Sequence, residues 1–224
     1  MKAVQKSGED LGESAGQTEV LKVTGLSKSY GGMPILRGVG FSLRPGEALA
    51  VAGPNGSGKS TLLKCVAGCE DIDEGQITLD GEELFESDPV VRAAMACLLD
   101  DVDYFPDLSV VDHLRLYAWA HGTADPEAEV EAILADLDLA RAADQLPVTL
   151  SSGQRHRLGL ASCMVRPRRV LVLDEPEQRL DAQGRAWLAD RLRAEKAAGV
   201  GILFASHDRE LIDAVADRII EVVQ

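Results

Sequence analysis

The segment Gly53-Pro54-Asn55-Gly56-Ser57-Gly58-Lys59-Ser60 holds residue types that can grip a phosphate, at the spacing G-x-x-x-x-G-K-[ST]. Glycines let successive backbone N–H groups converge on phosphate oxygens with no side chain in the way. A helix following the loop turns its positive end toward the anion. Lys59 adds a flexible point charge for the outer phosphates, Ser60 a hard hydroxyl oxygen suited to Mg²⁺, and Thr61 a further phosphate hydrogen bond. Taken alone, the loop specifies a nucleoside triphosphate and does not separate a kinase, a GTPase and a transport motor.

A second chemical group lies in RVLVLDEP, residues 169–176. Four consecutive apolar residues suit a strand buried on both faces, and Asp174 emerges at its carboxyl end, where ligands bind in parallel sheets. A carboxylate there can hold Mg²⁺ directly or through water. Glu175, one residue on, points elsewhere and is placed to polarise the water that attacks a terminal phosphate.

These groups need elements to position them. EALAVAG is a short apolar run that stops at a glycine, as a buried strand feeding a phosphate loop should, and STLLKCVA after the loop has helical character. Upstream, LKVTGLSKSY alternates like a strand and residues 36–43 read as another. QITLDGEEL reads as two short strands about a tight turn at Asp80-Gly81. Between about residues 88 and 166 the pattern becomes helical. VVDHLRLYAWAHG and DPEAEVEAILADLDLARAADQ carry apolar residues at three- and four-residue spacing, with Asp125 as a cap before Pro126. VLVLDEP then reads as a strand, LDAQGRAWLADRLRAEKAAG as a helix, and GILFASHD and DRIIEVV as late strands. Strand and helix alternate at both ends and helices cluster in the middle, which predicts a parallel-sheet α/β core with an inserted helical subdomain.

The composition sets limits. The 224 residues suffice for one domain with a subdomain, and 46% are hydrophobic, enough for a real core. The net charge of −14 argues against non-specific binding to nucleic acid or lipid headgroups. No apolar run approaches the roughly 20 residues of a membrane span. Residues 1–18 are polar and acidic and predict a disordered tail, with no signal-peptide pattern. Cys65, Cys69, Cys97 and Cys163 lack further ligands nearby and read as four buried, reduced thiols of a cytoplasmic protein.

In their order and spacing these motifs resemble the nucleotide-binding subunit of ABC transporters, over nearly the whole chain from about Val20 to Val223. Leu150-Ser151-Ser152-Gly153-Gln154 is similar to the family signature LSGGQ, with Ser152 in place of the first glycine. A serine hydroxyl and glycine N–H groups at a helix N-terminus suit an anion. The resemblance implies that this loop meets the γ-phosphate of ATP held by an opposite subunit. Leu180-Asp181 resembles the end of the family's D-loop, with Arg179 in a normally small position. His207 resembles its switch histidine, which contacts the γ-phosphate and orients the attacking water, and Tyr30 the aromatic that stacks on adenine. The family's Q-loop glutamine falls on Asp100, six residues before Pro106, and Asp100 is expected to reach Mg²⁺ through water.

The resemblance implies an α/β P-loop NTPase fold: a parallel-rich central sheet, N-terminal antiparallel strands and an inserted helical subdomain. The expected boundaries are a tail at 1–18 and an ATPase domain at 19–224, with its core at 19–87 and 167–224 and the helical subdomain at about 88–166. Also implied are ATP and Mg²⁺, a head-to-tail homodimer or a heterodimer with another ABC ATPase subunit, and a separately encoded transmembrane subunit. That subunit would hold the protein at the inner face of the cell membrane. The short chain leans toward an exporter motor. A soluble ABC-type ATPase switch is the alternative, although the paired cassettes of translation factors and the long coiled coils of chromosome-maintenance relatives are both missing. A GTPase would carry an Asn-Lys-x-Asp motif, which is not found.

Overall fold

The computed structural model describes residues 4–5, 19–84, 89–99 and 104–222. In chain order their strands are β1 (Val4–Gln5), β2 (Leu21–Tyr30), β3 (Met33–Leu43), β4 (Ala48–Ala52), β5 (Glu74–Leu79), β6 (Glu82–Glu83), β7 (Met95–Leu98), β8 (Val170–Asp174), β9 (Gly201–Ala205) and β10 (Arg218–Glu221). The helices are α1 (Lys59–Val66), α2 (Pro89–Ala94), α3 (Val110–Ala120), α4 (Pro126–Asp136), α5 (Ser152–Met164), α6 (Ala182–Ala197) and α7 (Arg209–Val215). Two 3₁₀ turns, Ala140–Ala142 and Pro147–Thr149, join α4 to α5.

Two sheets result. One is antiparallel, in the order β3-β2-β5-β6. The alternation in β2 buries Leu21 and Val23 while Lys22 and Thr24 face outward, the pattern of a sheet covered on one side. The other is wholly parallel, in the order β1-β10-β4-β9-β8-β7.

Its central strands are unbroken apolar runs because both faces are covered. Successive residues alternate between two cores. Ala48, Ala50, Leu171, Leu173, Ile202 and Phe204 join the core shared with the helical insert and α6. Leu49, Val51, Val170, Val172, Leu203 and Ala205 join the core shared with the antiparallel sheet and α1. Each fully buried Leu or Ile contributes roughly 1.5–3 kcal/mol relative to exposure, so this sheet is the rigid frame of the molecule.

Three expectations change. The helical region predicted for about 88–166 contains β7, which extends the central sheet by pairing Met95 with Val170 and Leu98 with Leu173. Four apolar residues are too few for periodicity to tell strand from helix. Within the predicted tail, Val4–Gln5 pairs in parallel with Ile219–Ile220 of β10 and so departs from disorder; the other residues of 1–18 lie outside the described ones. Of the four thiols, Cys65 and Cys163 are buried, Cys97 is half-buried and Cys69 is exposed. Cys69 sits beyond the end of α1, whose last residue is Val66.

Candidate functional site

Parallel pairing puts Val51 opposite Ala205 and Ala205 opposite Asp174. The carboxyl ends of β4, β9 and β8 therefore lie side by side. The chain leaves these ends as the glycine-rich loop from Gly53, as Ser206-His207, and as Asp174-Glu175, so one sheet edge collects three separate stretches of sequence.

The loop is fixed by sterics. At Gly53 (φ 155°) a Cβ would stand 2.5 Å from both the Val222 carbonyl oxygen and Ser57 Oγ. At Gly58 (φ 103°) it would stand 2.9 Å from Ile35 Cγ2. At Gly53 the obstacle is backbone, whereas at Gly58 it is the positive φ together with two packed side chains. Gly58 is the N-cap of α1, and it offers no side-chain cap to the first turn. The leading amides of α1 thus face the loop without a side-chain acceptor, an arrangement that suits an anion.

Lys59 is buried, and its Nζ donates to the Gly53 and Pro54 carbonyls at 3.0 and 3.1 Å. Two of its three N–H donors hold the loop's own backbone, which aims the ammonium into the cradle. Ser57 is buried as well, and its Oγ has no hydrogen-bond partner among the described residues. A buried orphan hydroxyl costs about 1–3 kcal/mol. Pro54, Asn55, Gly56 and Ser60 are exposed and Thr61 is half-buried.

At the neighbouring strand end, Asp174 closes β8 and is partly buried. Glu175 adopts φ 47°, a left-handed conformation unusual for a non-glycine residue. Its N–H donates to the Ala205 carbonyl at 2.9 Å, which anchors it to β9. One carboxylate oxygen, Oε1, stands 3.6 Å from His207 Nε2. The other, Oε2, accepts from Gln178 Nε2. The structure thus brings together Lys59, Asp174, Glu175 and His207 at one sheet edge.

Among the described residues no three His, Cys, Asp or Glu side chains gather as a metal cage. Ser60 and Asp174 nevertheless carry the hard oxygens that Mg²⁺ takes, and Mg²⁺ in nucleotide sites is held by one or two protein oxygens plus phosphates and water. The donor set fits.

The remaining predicted residues sit on other elements. Ser151 caps α5 in a closed capping box: its Oγ accepts from Gln154 N at 3.2 Å, and Gln154 Oε1 accepts from Ser151 N at 3.0 Å. Gln154 is therefore turned back on its own helix, while Ser152 is exposed and Gly153 half-buried. A Cβ at Gly153 would meet the Arg179 carbonyl at 3.3 Å, and the His156 ring donates to the Pro176 carbonyl at 2.8 Å. The start of α5 is thereby pressed against the turn that follows the acidic strand.

Asp181 caps α6 through Gly184 N at 2.8 Å and lies 3.5 Å from Arg157, so its carboxylate serves the fold of its own chain. Tyr30 ends β2 in the other sheet, 43% exposed, with the Lys28 ammonium 5.3 Å from its ring centre. Asp100 lies outside the described residues.

Sequence reading missed three participants: Glu177, Gln178 and Ser206. Nothing in their spacing announces them, since they meet across two strand ends. It also missed the capping box, although Ser-x-x-Gln before an apolar run is its signature.

The sequence model of the family described as ABC transporter matches residues 36–178. The chain is 31% identical over 203 residues to the sn-glycerol-3-phosphate import ATP-binding protein UgpC 1 of Rhizobium johnstonii, a match that covers 89% of this chain and 55% of the relative. It is 31% identical to the SkfA peptide export ATP-binding protein SkfE of Bacillus subtilis, covering 90% and 84%. It is 39% identical to the cytochrome c biogenesis ATP-binding export protein CcmA of Rhodobacter capsulatus, covering 84% and 81%. The chain spans about half the length of some curated relatives, 55% and 56% in two of them. A solved structure of an ATP-binding subunit of an ABC transporter superposes with a TM-score of 0.84 at 28% identity, covering 91% of this chain and 86% of that one. A dimeric, post-hydrolysis ATP-binding cassette bound to ADP and Pi superposes with a TM-score of 0.81 at 20% identity, which shows the shared fold.

Proposed function

This chain belongs to the ABC transporter family, and from that membership we propose that it binds and hydrolyses ATP as the motor subunit of a transporter. The supporting observation is the shared edge of β4, β9 and β8, which holds a buried lysine in a glycine cradle beside the Glu175–His207 pair.

In this reading Lys59, the loop amides and the first turn of α1 bind the phosphates, and Tyr30 receives the adenine. Glu175 draws a proton from the attacking water at its carboxylate, and His207 orients that carboxylate and touches the terminal phosphate. Mg²⁺, held through Ser60 and Asp174, supplies neutralising charge on the phosphates. Asp100 belongs to the same proposal as a contributor to the metal's surroundings.

A second copy or a related subunit supplies Ser151, Ser152 and Gly153 at the start of its α5, so each ATP is shared between two chains. Binding closes the pair and hydrolysis opens it, a population shift between two states. Among the described residues no helix is long and apolar enough to cross a membrane, and the proposed membrane contact is through a separate subunit. Relatives of nearly equal identity include import and export proteins, so the proposal is transport coupling without a direction.

The test is ATP turnover by the purified chain with Mg²⁺, beside Lys59→Ala. Turnover that Lys59→Ala abolishes supports the reading. Absence of ATP binding and turnover in the wild-type chain, or full turnover in Lys59→Ala, rejects it.

A further inference from the structure

The turn after the acidic strand carries a carboxylate that the proposed mechanism does not use. Glu177 leaves the β8 end and crosses to the β9 end. Its Oε1 accepts from Ser206 Oγ at 2.5 Å and from His207 N at 3.3 Å. The first is a short, charge-assisted bond, about twice as strong as a neutral one. Ser206 is itself 3% exposed, and its Oγ accepts from Asp208 N at 2.9 Å. Asp208 in turn caps α7 through the amides of Glu210 and Leu211. A chain of hydrogen bonds thus runs from Glu177 through Ser206 to the backbone on both sides of His207 and on to the cap of α7.

The same turn carries Glu175, two residues before Glu177, and it is closed by Gln178 N donating to the Glu175 carbonyl at 3.0 Å. One rigid turn therefore holds the carboxylate that faces the His207 ring while its next acid holds the His207 main chain. Glu177 Oε2 is buried and has no hydrogen-bond partner among the described residues. Such an oxygen costs stability in a fold that gains nothing from it.

We propose that Glu177 is a positioning residue for hydrolysis: it fixes the His207 backbone, through Ser206, at the distance that lets the His207 ring address Glu175. This rests on the ATPase reading above. Glu177 acts at the step after nucleotide binding: among the described residues its side chain bonds Ser206 and His207, not the glycine loop or Lys59.

Glu177→Ala is expected to lower kcat about tenfold, the scale of a sub-ångström misplacement of a reacting group, while KM for ATP stays within about twofold. Glu177→Gln keeps an acceptor oxygen for both donors and should return kcat to within about threefold of wild type. Ser206→Ala, a small change that breaks the same chain, should reproduce the kcat loss. In a His207→Ala background, adding Glu177→Ala should change residual turnover by less than about twofold, since the two residues act through one point.

Amide hydrogen exchange gives a readout independent of turnover. Protection of the His207 and Asp208 amides should fall at least about tenfold in Glu177→Ala and be kept in Glu177→Gln. Unchanged protection at those amides, equal losses in kcat and ATP affinity, or additive losses with His207→Ala would each overturn the proposal. A wild-type chain without ATP turnover would instead count against the ATPase reading, and the exchange experiment would still decide whether Glu177 holds the His207 loop.

Discussion

At the scale of single residues, the site contrasts a buried cation with a partly exposed acid and histidine pair. Lys59 is held by two backbone carbonyls and therefore loses little freedom when an anion arrives. Two unit charges 4 Å apart at an effective dielectric near 20 attract by roughly 4 kcal/mol before desolvation. Lys59→Ala should therefore weaken ATP binding by at least about tenfold in a calorimetric titration, and equal affinity would remove the loop from the nucleotide site. Glu175 is tied by its own N–H to β9 and by Gln178 to its own turn. Glu175→Gln keeps that shape and removes the base, so turnover should fall about a hundredfold or more while ATP still binds. Single-turnover measurement separates the two steps, and a normal chemical rate in Glu175→Gln would assign the base elsewhere.

At the scale of elements, the glycine loop is a joint among three strands. Gly58 is pressed against Ile35 of β3, and Gly53 against the carbonyl of Val222 just past β10. The Val222 backbone cannot swing away as a flexible side chain would. Gly53→Ala is expected to lower the denaturation midpoint and ATP affinity together, and an alanine variant with wild-type values for both would contradict this packing. The start of α5 behaves differently, because its geometry comes from local chemistry. Ser151 and Gln154 satisfy each other's neighbouring amides. Ser151→Ala should cost about 1 kcal/mol in a denaturant titration, and a loss near zero would mean the box is not formed in solution.

At the scale of the whole molecule, the two cores on either face of the parallel sheet hold thiols that only the folded chain buries. Burial pushes Cys65 and Cys163 up to about 11 from an ordinary value of 9.0, and pushes Cys97 higher still. Well below pH 9 these groups are neutral in both states and do not affect stability. Between about pH 9 and 11 the unfolded chain loses thiol protons that the folded chain keeps, so stability falls as pH rises through that window. Urea midpoints should decline from pH 8.5 to 10.5, and Cys163→Ala should make the decline shallower; an equal slope would show that other groups carry it. Assembly belongs to the same scale. If ATP is shared between two chains, Glu175→Gln should elute as a dimer with ATP and as a monomer without it, and a nucleotide-independent elution volume would tell against the sandwich.

The α/β class and most of the elements were legible in the sequence, because apolar runs, alternation and helical spacing record which faces are covered. The phosphate loop, with Lys59, and the acidic strand were legible for a related reason: their chemistry is written in contiguous residues. Where the signal failed, it failed on length or distance. Met95–Leu98 is too short to declare a strand and needed β8 beside it. Asp181 and Gln154 carry a further structural role that spacing along the chain did not announce, since their side chains cap their own helices.

Sequence alone determined the groups that can bind a phosphate and the strands that carry them, since both are local. The fold alone decided that Glu175 faces His207, that Glu177 reaches across to Ser206, and that a side chain at Gly53 would press on the Val222 carbonyl. Each depends on strand ends brought together by parallel pairing, and the spacing of residues along the chain does not encode that proximity.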